Sequence, residues 1–126
     1  MQLPISPGSP IVLPIRIYGE RGVREMDALL DTGAAFVTVS PAHARQLGYD
    51  WQNAPHVPIV TANGVIRAPR IILSRVSVGE FAEANVEALC LDLPGAGVSS
   101  LLGLSFLSRL NVALDAKSQT LLINDP

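Results

Sequence analysis

The sequence predicts an all-β domain with one or two short helices, and three features of the chain support this. The segment Ile11 to Tyr18 alternates apolar and other residues with a period of two, which is typical of a strand with one buried face. Asn63-Gly64 lies between two β-rich runs and favours a tight hairpin turn. Near the end, Val112 to Leu114 and Thr120 to Ile123 flank a polar turn. The chain is therefore expected to consist mostly of hairpins.

Composition limits the possible functions. The 126 residues fit one domain, and 16% of them are charged, which is fewer than the roughly 25% of an average chain. Part of the surface is therefore expected to be covered by a partner. A net charge of −2 without a Lys/Arg cluster argues against binding to nucleic acid or to a membrane. No signal peptide or membrane span is visible, so a soluble, cytoplasmic protein is expected. Cys90 has no second cysteine for a disulfide and is expected to be a buried, inert thiol.

The first elements follow from local signals. Residues 1–10 contain three prolines and are expected to form a flexible N-terminal segment, as a tail or an edge strand, ahead of a single domain at 11–126. The strand Ile11 to Tyr18 should pair with Val23 to Leu30, which ends just before Asp31. Phe36 to Val39 is apolar on both faces and is expected to be a strand buried on both sides.

A short helix is predicted next, and hairpins follow it. Ser40-Pro41 is a typical helix start and Gly48 a typical stop. Two strands, Val57 to Thr61 and Val65 to Ala68, are expected to be confined to a sheet edge by Pro58 and Pro69. A further hairpin is predicted from Ile71 to Val78 and Phe81 to Leu91. A loop from Leu93 to Ser100 and a short helix from Leu104 to Leu110 follow.

Asp31 is the residue around which the chain is organised. It lies between two apolar runs, and a carboxylate in such surroundings has to be paired, hydrogen-bonded or protonated, a cost that proteins accept mostly at functional sites. The sequence Leu29 to Ala34, two apolar residues followed by Asp-Thr-Gly-Ala, resembles the active-site turn of retropepsin-like aspartic proteases. Leu101-Leu102-Gly103 resembles the second motif of that family, and the segment Gly103 to Arg109 is similar to its bacterial single-domain members.

The resemblance implies a closed-barrel acid-protease fold and an aspartic endopeptidase that needs no cofactor. Such chemistry requires two carboxylates that share a proton, and no second Asp in this chain precedes a Thr-Gly or Ser-Gly pair. A working site would therefore require Asp31 from each chain of a homodimer. Thr32 would hydrogen-bond across the dimer, and Gly33 would let the two backbones approach. The C-terminal hairpin, Val112 to Ile123, is the expected dimer contact.

The resemblance also suggests which residues bind a peptide or unfolded-protein substrate. The hairpin tip would act as a flap that closes over the site. The expected substrate-binding residues are Ala34, Ala35, Thr61, Ala62, Asn63, Gly64, Val65 and Leu102. Viral members commonly carry an Asp–Arg ion pair at the positions that Ala35 and Leu104 occupy here, so viral substrate contacts and dimer geometry do not transfer directly. No metal site is expected, because His43 and His56 are isolated.

Two other functions remain open on sequence grounds. A noncatalytic dimeric peptide-binding or scaffold domain could keep the same fold, and so could a purely structural β-domain. Cleavage that depends on Asp31 would separate the protease from both alternatives. Peptide binding without cleavage would indicate the binding domain.

Overall fold

The computed structural model describes residues 1–6, 8–61, 63–93 and 97–126, without the side chain of Thr61. The elements, in chain order, are β1 Gln2–Pro4, β2 Val12–Gly19, β3 Gly22–Leu30, β4 Val37–Val39, α1 Pro41–Gln46, β5 His56–Thr61, β6 Gly64–Val78, β7 Phe81–Cys90, β8 Ser100–Leu102, α2 Leu104–Leu107, β9 Asn111–Asp115 and β10 Thr120–Asn124. Six strands form a closed barrel in the order β2-β3-β8-β4-β7-β6, closed by pairing between β2 and β6, while β5 extends the sheet beyond β6. The all-β prediction with two short helices is confirmed.

The first hairpin shows how the alternation in the sequence builds the core. On β2, Leu13, Ile15 and Ile17 are each no more than 2% exposed, while the intervening residues point outward. Strand β3 pairs antiparallel with β2 from Val12↔Leu29 to Gly19↔Gly22. The expected strand and turn are therefore both present, and the hairpin delivers Asp31 at the end of β3.

Strand β8 lies at the centre of the sheet and joins the two halves of the chain. It runs parallel to β3, with Leu29 opposite Leu101, and antiparallel to β4. Strand β4 in turn runs parallel to β7. All three residues of β4 are buried, as predicted for a strand covered on both sides. The buried strands at this point bring the end of β3 and the end of β8 side by side.

Helix α1 begins and ends where the sequence predicts. The Ser40 hydroxyl accepts a hydrogen bond from the backbone N–H of His43 at 3.2 Å, and Pro41 occupies the first turn. Neither helix in the described residues has the length and apolar character that a bilayer-spanning helix requires.

Strand β6 differs from the sequence prediction. Val65 to Ala68 and Ile71 to Val78 were expected to belong to separate hairpins, but they form one strand, Gly64–Val78. Its first part pairs with β5 as far as Pro69, and its second part pairs with β7 from Arg70 onward. Proline has no backbone donor, and Pro69 lies where the strand changes partner. The prolines place β5 at the sheet edge, as expected, without interrupting β6.

The N- and C-terminal segments form a second sheet of three strands, β1-β10-β9. Within residues 1–10, Gln2–Pro4 is an edge strand, the second of the two expectations for this segment, and the flexibility of the segment stays a prediction. Strand β10 is already paired on both sides within the chain, and Leu121 and Ile123 are buried. Of the two strands of the C-terminal hairpin, only β9 has an edge without a pairing in the described residues. The role of the hairpin in a dimer stays a prediction. The predicted loop from Leu93 to Ser100 lies partly outside the described residues, and Ser100 already belongs to β8.

Candidate active site

Asp31 lies in a tight turn directly after β3. Its backbone N–H donates to the carbonyl of Leu102 at 3.1 Å, so the end of β8 holds the start of the turn. The Ala34 N–H donates to the Asp31 carbonyl at 3.3 Å and closes the turn. The Gly33 N–H donates to Oδ1 of Asp31 at 2.9 Å, which fixes one carboxylate oxygen. The side chain is only partly buried, so the carboxylate remains accessible.

Gly103 lies directly beneath the segment that follows Asp31. A Cβ atom at Gly103 would lie 2.3 Å from the carbonyl oxygen of Phe36 and 2.7 Å from that of Ala34, so no side chain fits. The backbone N–H groups that follow it donate to the same segment, from Leu104 to Ala34 at 2.8 Å and from Ser105 to Ala35 at 2.9 Å. The second sequence motif therefore supports the first through backbone contacts.

Ser105 provides the side-chain part of this support. Its hydroxyl accepts a hydrogen bond from the Val37 N–H at 3.0 Å and donates one to the Glu87 carbonyl at 2.7 Å. One hydroxyl thus joins α2 to the start of β4 and to β7. Because both of its bonds are partly buried, they should contribute more than exposed ones.

A cleft of about 540 Å³ opens next to Asp31. One wall is the Asp31 turn with Gly33, and another is the edge strand β5. The remaining residues around the cleft are Ala34, Ala35, Phe36, Thr38, Pro58, Ile59, Val60, Leu89, Leu91, Leu93 and Leu101. Asp31 and Thr38 carry the only polar side chains in this lining, as far as the described residues go. The cleft is therefore an apolar channel with one carboxylate at its side.

The predicted substrate-binding residues divide into three groups. Ala34 and Ala35 line the cleft, and their role in substrate binding stays a prediction. Leu102 does not, because it is fully buried in the core, and Leu101 lines the cleft instead. The expectation for Leu102 is corrected by one position, because neighbouring side chains of a strand point to opposite faces.

The hairpin tip forms the third group. Thr61 faces Gly64 across the hairpin, and Gly64 has a φ of +116°, a conformation that favours glycine. Ala62 and the Thr61 side chain lie outside the described residues. Asn63, Gly64 and Val65 are exposed, and none of them lines the cleft; the stem residues Pro58 to Val60 line it instead. The role of these tip residues as a flap stays a prediction.

The face around the turn is open in the single chain. Thr32, Gly33 and Ala35 are exposed, and Leu104 is 42% exposed. Within the chain, a Cβ at Gly33 would meet only Oδ1 of Asp31, at 3.2 Å. The predicted approach of two backbones at Gly33 and the predicted hydrogen bond of Thr32 across a dimer both concern a second copy, so they stay predictions.

Two titratable groups elsewhere have pKa values shifted by burial, the buried Cys90 and the partly buried His43. Burial raises the pKa of the Cys90 thiol to about 11, as expected for an inert cysteine. Burial, followed by the nearby positive charge of Arg24, lowers the pKa of His43. In the described part of the chain, no three His, Cys, Asp or Glu side chains come together as metal ligands.

Sequence reasoning missed most of the cleft lining, although one signal was present. Leu89, Leu101 and Thr38 come together because they are opposite one another on β7, β8 and β4. The alternation of side chains along Phe36 to Val39 could have placed Thr38 on the opposite face from Val37 and Val39. The parallel strand pairings, in contrast, leave no local signal in the sequence.

Comparison with known proteins agrees with this geometry. Residues 19–109 match the family model described as "gag-polyprotein putative aspartyl protease". A chain from a Sinorhizobium species, described as an uncharacterized protein in the cobV 5′ region, is 32% identical over 103 residues, which cover 81% of this chain and 43% of that one. The present chain therefore spans less than half of that curated relative.

The fold is also similar to a solved structure. The crystal structure of a retropepsin-like aspartic protease from Rickettsia conorii matches with a TM-score of 0.74 and 24% identity, over 99% of this chain and 89% of that one. At that identity the match shows the fold. Together with the family model and the Asp31 turn, it establishes that the chain belongs to the retropepsin-like aspartyl protease family.

Proposed function

We propose that this protein is an aspartic endopeptidase that acts as a homodimer. The observation that carries the proposal is the single carboxylate of Asp31, which accepts a hydrogen bond from the Gly33 N–H at the side of a mostly apolar cleft. The Asp31 carboxylate is partly accessible and lines a cleft of about 540 Å³. Its turn is hydrogen-bonded to Leu102 of β8 and to Leu104 of α2.

The dimer follows from what one chain lacks. Hydrolysis of a peptide bond without a cofactor needs one group that takes a proton from water and another that gives a proton to the carbonyl oxygen. Asp31 is the only carboxylate among the residues that line the described cleft. The exposed face at Thr32, Gly33 and Leu104 would meet the same face of a second copy and bring two Asp31 side chains together.

In the proposed reaction, the two Asp31 carboxyl groups share one proton. The ionised carboxylate takes a proton from a bound water molecule, whose oxygen attacks the peptide carbonyl carbon. The protonated carboxyl group gives its proton to the carbonyl oxygen. Collapse of the resulting diol then breaks the C–N bond: the leaving nitrogen takes a proton from one carboxyl group, and a diol hydroxyl gives its proton to the other carboxylate. The products are a carboxylic acid and an amine, and the dyad again holds one proton. The Gly33 N–H holds one oxygen of each carboxylate in place.

Replacing Asp31 by Asn tests this proposal. Asn keeps the shape but cannot transfer the proton, so cleavage of an unfolded protein should fall by about a thousandfold or more. Circular dichroism and thermal melting should show that the variant is folded. Asp27→Asn is a matched control, because Asp27 is an exposed aspartate on β3 and does not line the cleft.

The result also separates the alternatives. Wild-type cleavage rates in Asp31→Asn would show that another group is responsible and that the catalytic assignment is wrong. Peptide binding by both proteins, with cleavage by neither, would identify a noncatalytic peptide-binding domain. Sedimentation at several concentrations tests the dimer independently, and an active monomer would exclude the shared site.

A further inference from the structure

Thr38 is a polar residue in an unusual place. It lies in the middle of β4, where Val37 and Val39 are fully buried in the core. Thr38 itself points to the other face and lines the cleft next to Asp31. Its exposed fraction is 6%, and its hydroxyl oxygen has no hydrogen-bond partner among the described residues.

The neighbours of Thr38 make a small apolar pocket. Leu89 on β7 and Leu101 on β8 are directly opposite it in the sheet, so the three side chains share a face. All three line the cleft, and Ile59 of the edge strand lines it as well. The Thr38 hydroxyl is therefore a single hydrogen-bonding group among aliphatic side chains.

An unsatisfied hydroxyl in such surroundings is unfavourable in the free protein. Buried polar groups are nearly always paired, and valine, which has the same shape, would fill this position without the cost. The backbone groups around it do not explain the hydroxyl, since the Thr38 carbonyl accepts its hydrogen bond from the Ser100 side chain. A partner that arrives with the ligand would satisfy it.

We propose that Thr38 determines specificity by hydrogen-bonding a short, neutral, polar side chain of the bound peptide, such as that of Thr, Ser or Asn. This inference rests on the proposed peptide-binding function of the cleft. The hydroxyl oxygen is buried in the free protein. A ~120° rotation about the Cα–Cβ bond moves it to another staggered position, from which it faces the ligand. The aliphatic walls exclude a charged side chain, because they cannot compensate for its lost hydration. A purely apolar side chain would fit but would leave the hydroxyl unpaired.

Peptide binding to the Asp31→Asn protein tests the proposal without requiring cleavage. The probe is an octapeptide library in which one position at a time holds Thr, Val, Asn or Leu and the others hold equimolar mixtures. Competition against a fluorescent peptide pool gives relative affinities at each position. At one position, Thr should bind about tenfold more tightly than its isostere Val.

Three further substitutions in the same background decide the source of that preference. Thr38→Val should remove or reverse it, whereas Thr38→Ser, which keeps the hydroxyl, should preserve it. Ser77→Ala is the matched control, because Ser77 is another buried hydroxyl that does not line this cleft. Thr38→Val should also melt at a higher temperature than its parent, so a change in preference cannot be attributed to unfolding.

The outcomes distinguish this inference from the proposed function. A Thr preference that Thr38→Val leaves unchanged, or no preference at any position, would overturn the role of Thr38 even if the wild-type protein cleaves peptides. A preference that depends on residue 38, in a protein whose wild-type form cleaves none of the library, would support the pocket and reject the protease. Absence of peptide binding would overturn the role of Thr38, and it would overturn the protease as well only if the wild-type protein also cleaves none of the library.

Discussion

The two halves of the chain use the same local pattern for different purposes. In the first half, Leu29 and Leu30 end β3 and lead into Asp31; in the second, Leu101 and Leu102 end β8 and lead into Gly103. The two strands lie side by side and parallel, with Leu30 opposite Leu102. The first turn displays a carboxylate toward the cleft, and the second has no room for any side chain.

The difference shows that the Asp31 carboxylate and the backbone that supports its turn come from different halves of the chain. The acid in the first half is partly exposed, so changing it should cost little stability. The glycine in the second half touches the backbone of the first, so changing it should cost a great deal. The first two predictions below test this division directly, and the others test regions outside the two turns.

The largest effect on stability is expected for Gly103→Ala. The new Cβ would lie 2.3 Å from the Phe36 carbonyl oxygen, so the backbone on one side has to move. The free energy of unfolding should fall by about 3 kcal/mol or more, measured by urea denaturation. Asp31→Asn should be close to wild type in the same experiment. Equal losses in the two variants would contradict the proposed division.

Ser105→Ala should have the next largest effect. It leaves the Val37 N–H and the Glu87 carbonyl without the partner that the hydroxyl provides. The free energy of unfolding should fall by about 2 kcal/mol. Ser108→Ala, on the exposed side of the same region, is the matched control and should change little. If the two serine variants were equally stable, Ser105 would not hold the two halves together.

Gly64→Val tests the hairpin tip, which belongs to neither turn. Valine resists the φ of +116°, so stability should fall by about 1 kcal/mol. If the tip closes over the cleft as a flap, as predicted, turnover should also fall several-fold. Gly22→Val is matched to it, since Gly22 has a φ of +133° and lies in a turn of the first hairpin. Turnover that is lowered equally in both variants would reject the flap.

The smallest effect is expected from pH, which should change the melting temperature through a side chain of α1 but not of α2. His43 lies on α1, whereas α2 has no titratable side chain. Because the pKa of His43 is lowered in the folded protein, the unfolded chain binds the proton more readily. The melting temperature should therefore decrease as the pH falls below about 6.5, the ordinary pKa of histidine. His43→Gln should flatten this slope. An unchanged slope in His43→Gln would show that burial of His43 does not govern the pH dependence of stability.

A second acid-sensitive group lies in another pH range. The pKa of Asp115 is lowered, mainly by the hydrogen bond from the Ser118 backbone, so its contribution is lost only at pH values near and below 4. Asp115→Asn should change the melting curve there and leave the range near pH 6 unaltered.

Local signals predicted the elements well because those signals act within a few residues. The alternation along β2, the Ser40-Pro41 helix start and the Asp31 motif each depend on neighbouring residues. The structure has the strand, the helix and the turn that these signals predict. The continuity of β6 was missed because Pro69 was expected to confine its strand to a sheet edge, separate from the strand that follows. Its missing donor matters only where a partner strand needs it, and Pro69 lies at a change of partner.

The cleft could not be predicted in the same way. Its lining comes from strands that pair across most of the chain, such as β3 with β8 and β4 with β7. Which of two neighbouring leucines faces the cleft depends on that register. Leu102 was therefore chosen where Leu101 belongs, and Thr38 was overlooked.

The long-range support of the Asp31 turn also sets the order of events during biosynthesis. The hydroxyl of Ser105 bonds to Val37, 68 residues earlier in the chain, and the N–H of Asp31 bonds to Leu102. Contacts between distant residues form late, because the chain must first pay the entropy of closing a long loop. The turn therefore stays unassembled until the ribosome has released the residues around Ser105. Until then, the Asp31 carboxylate lacks the long-range contacts that fix its position relative to β4 and β8.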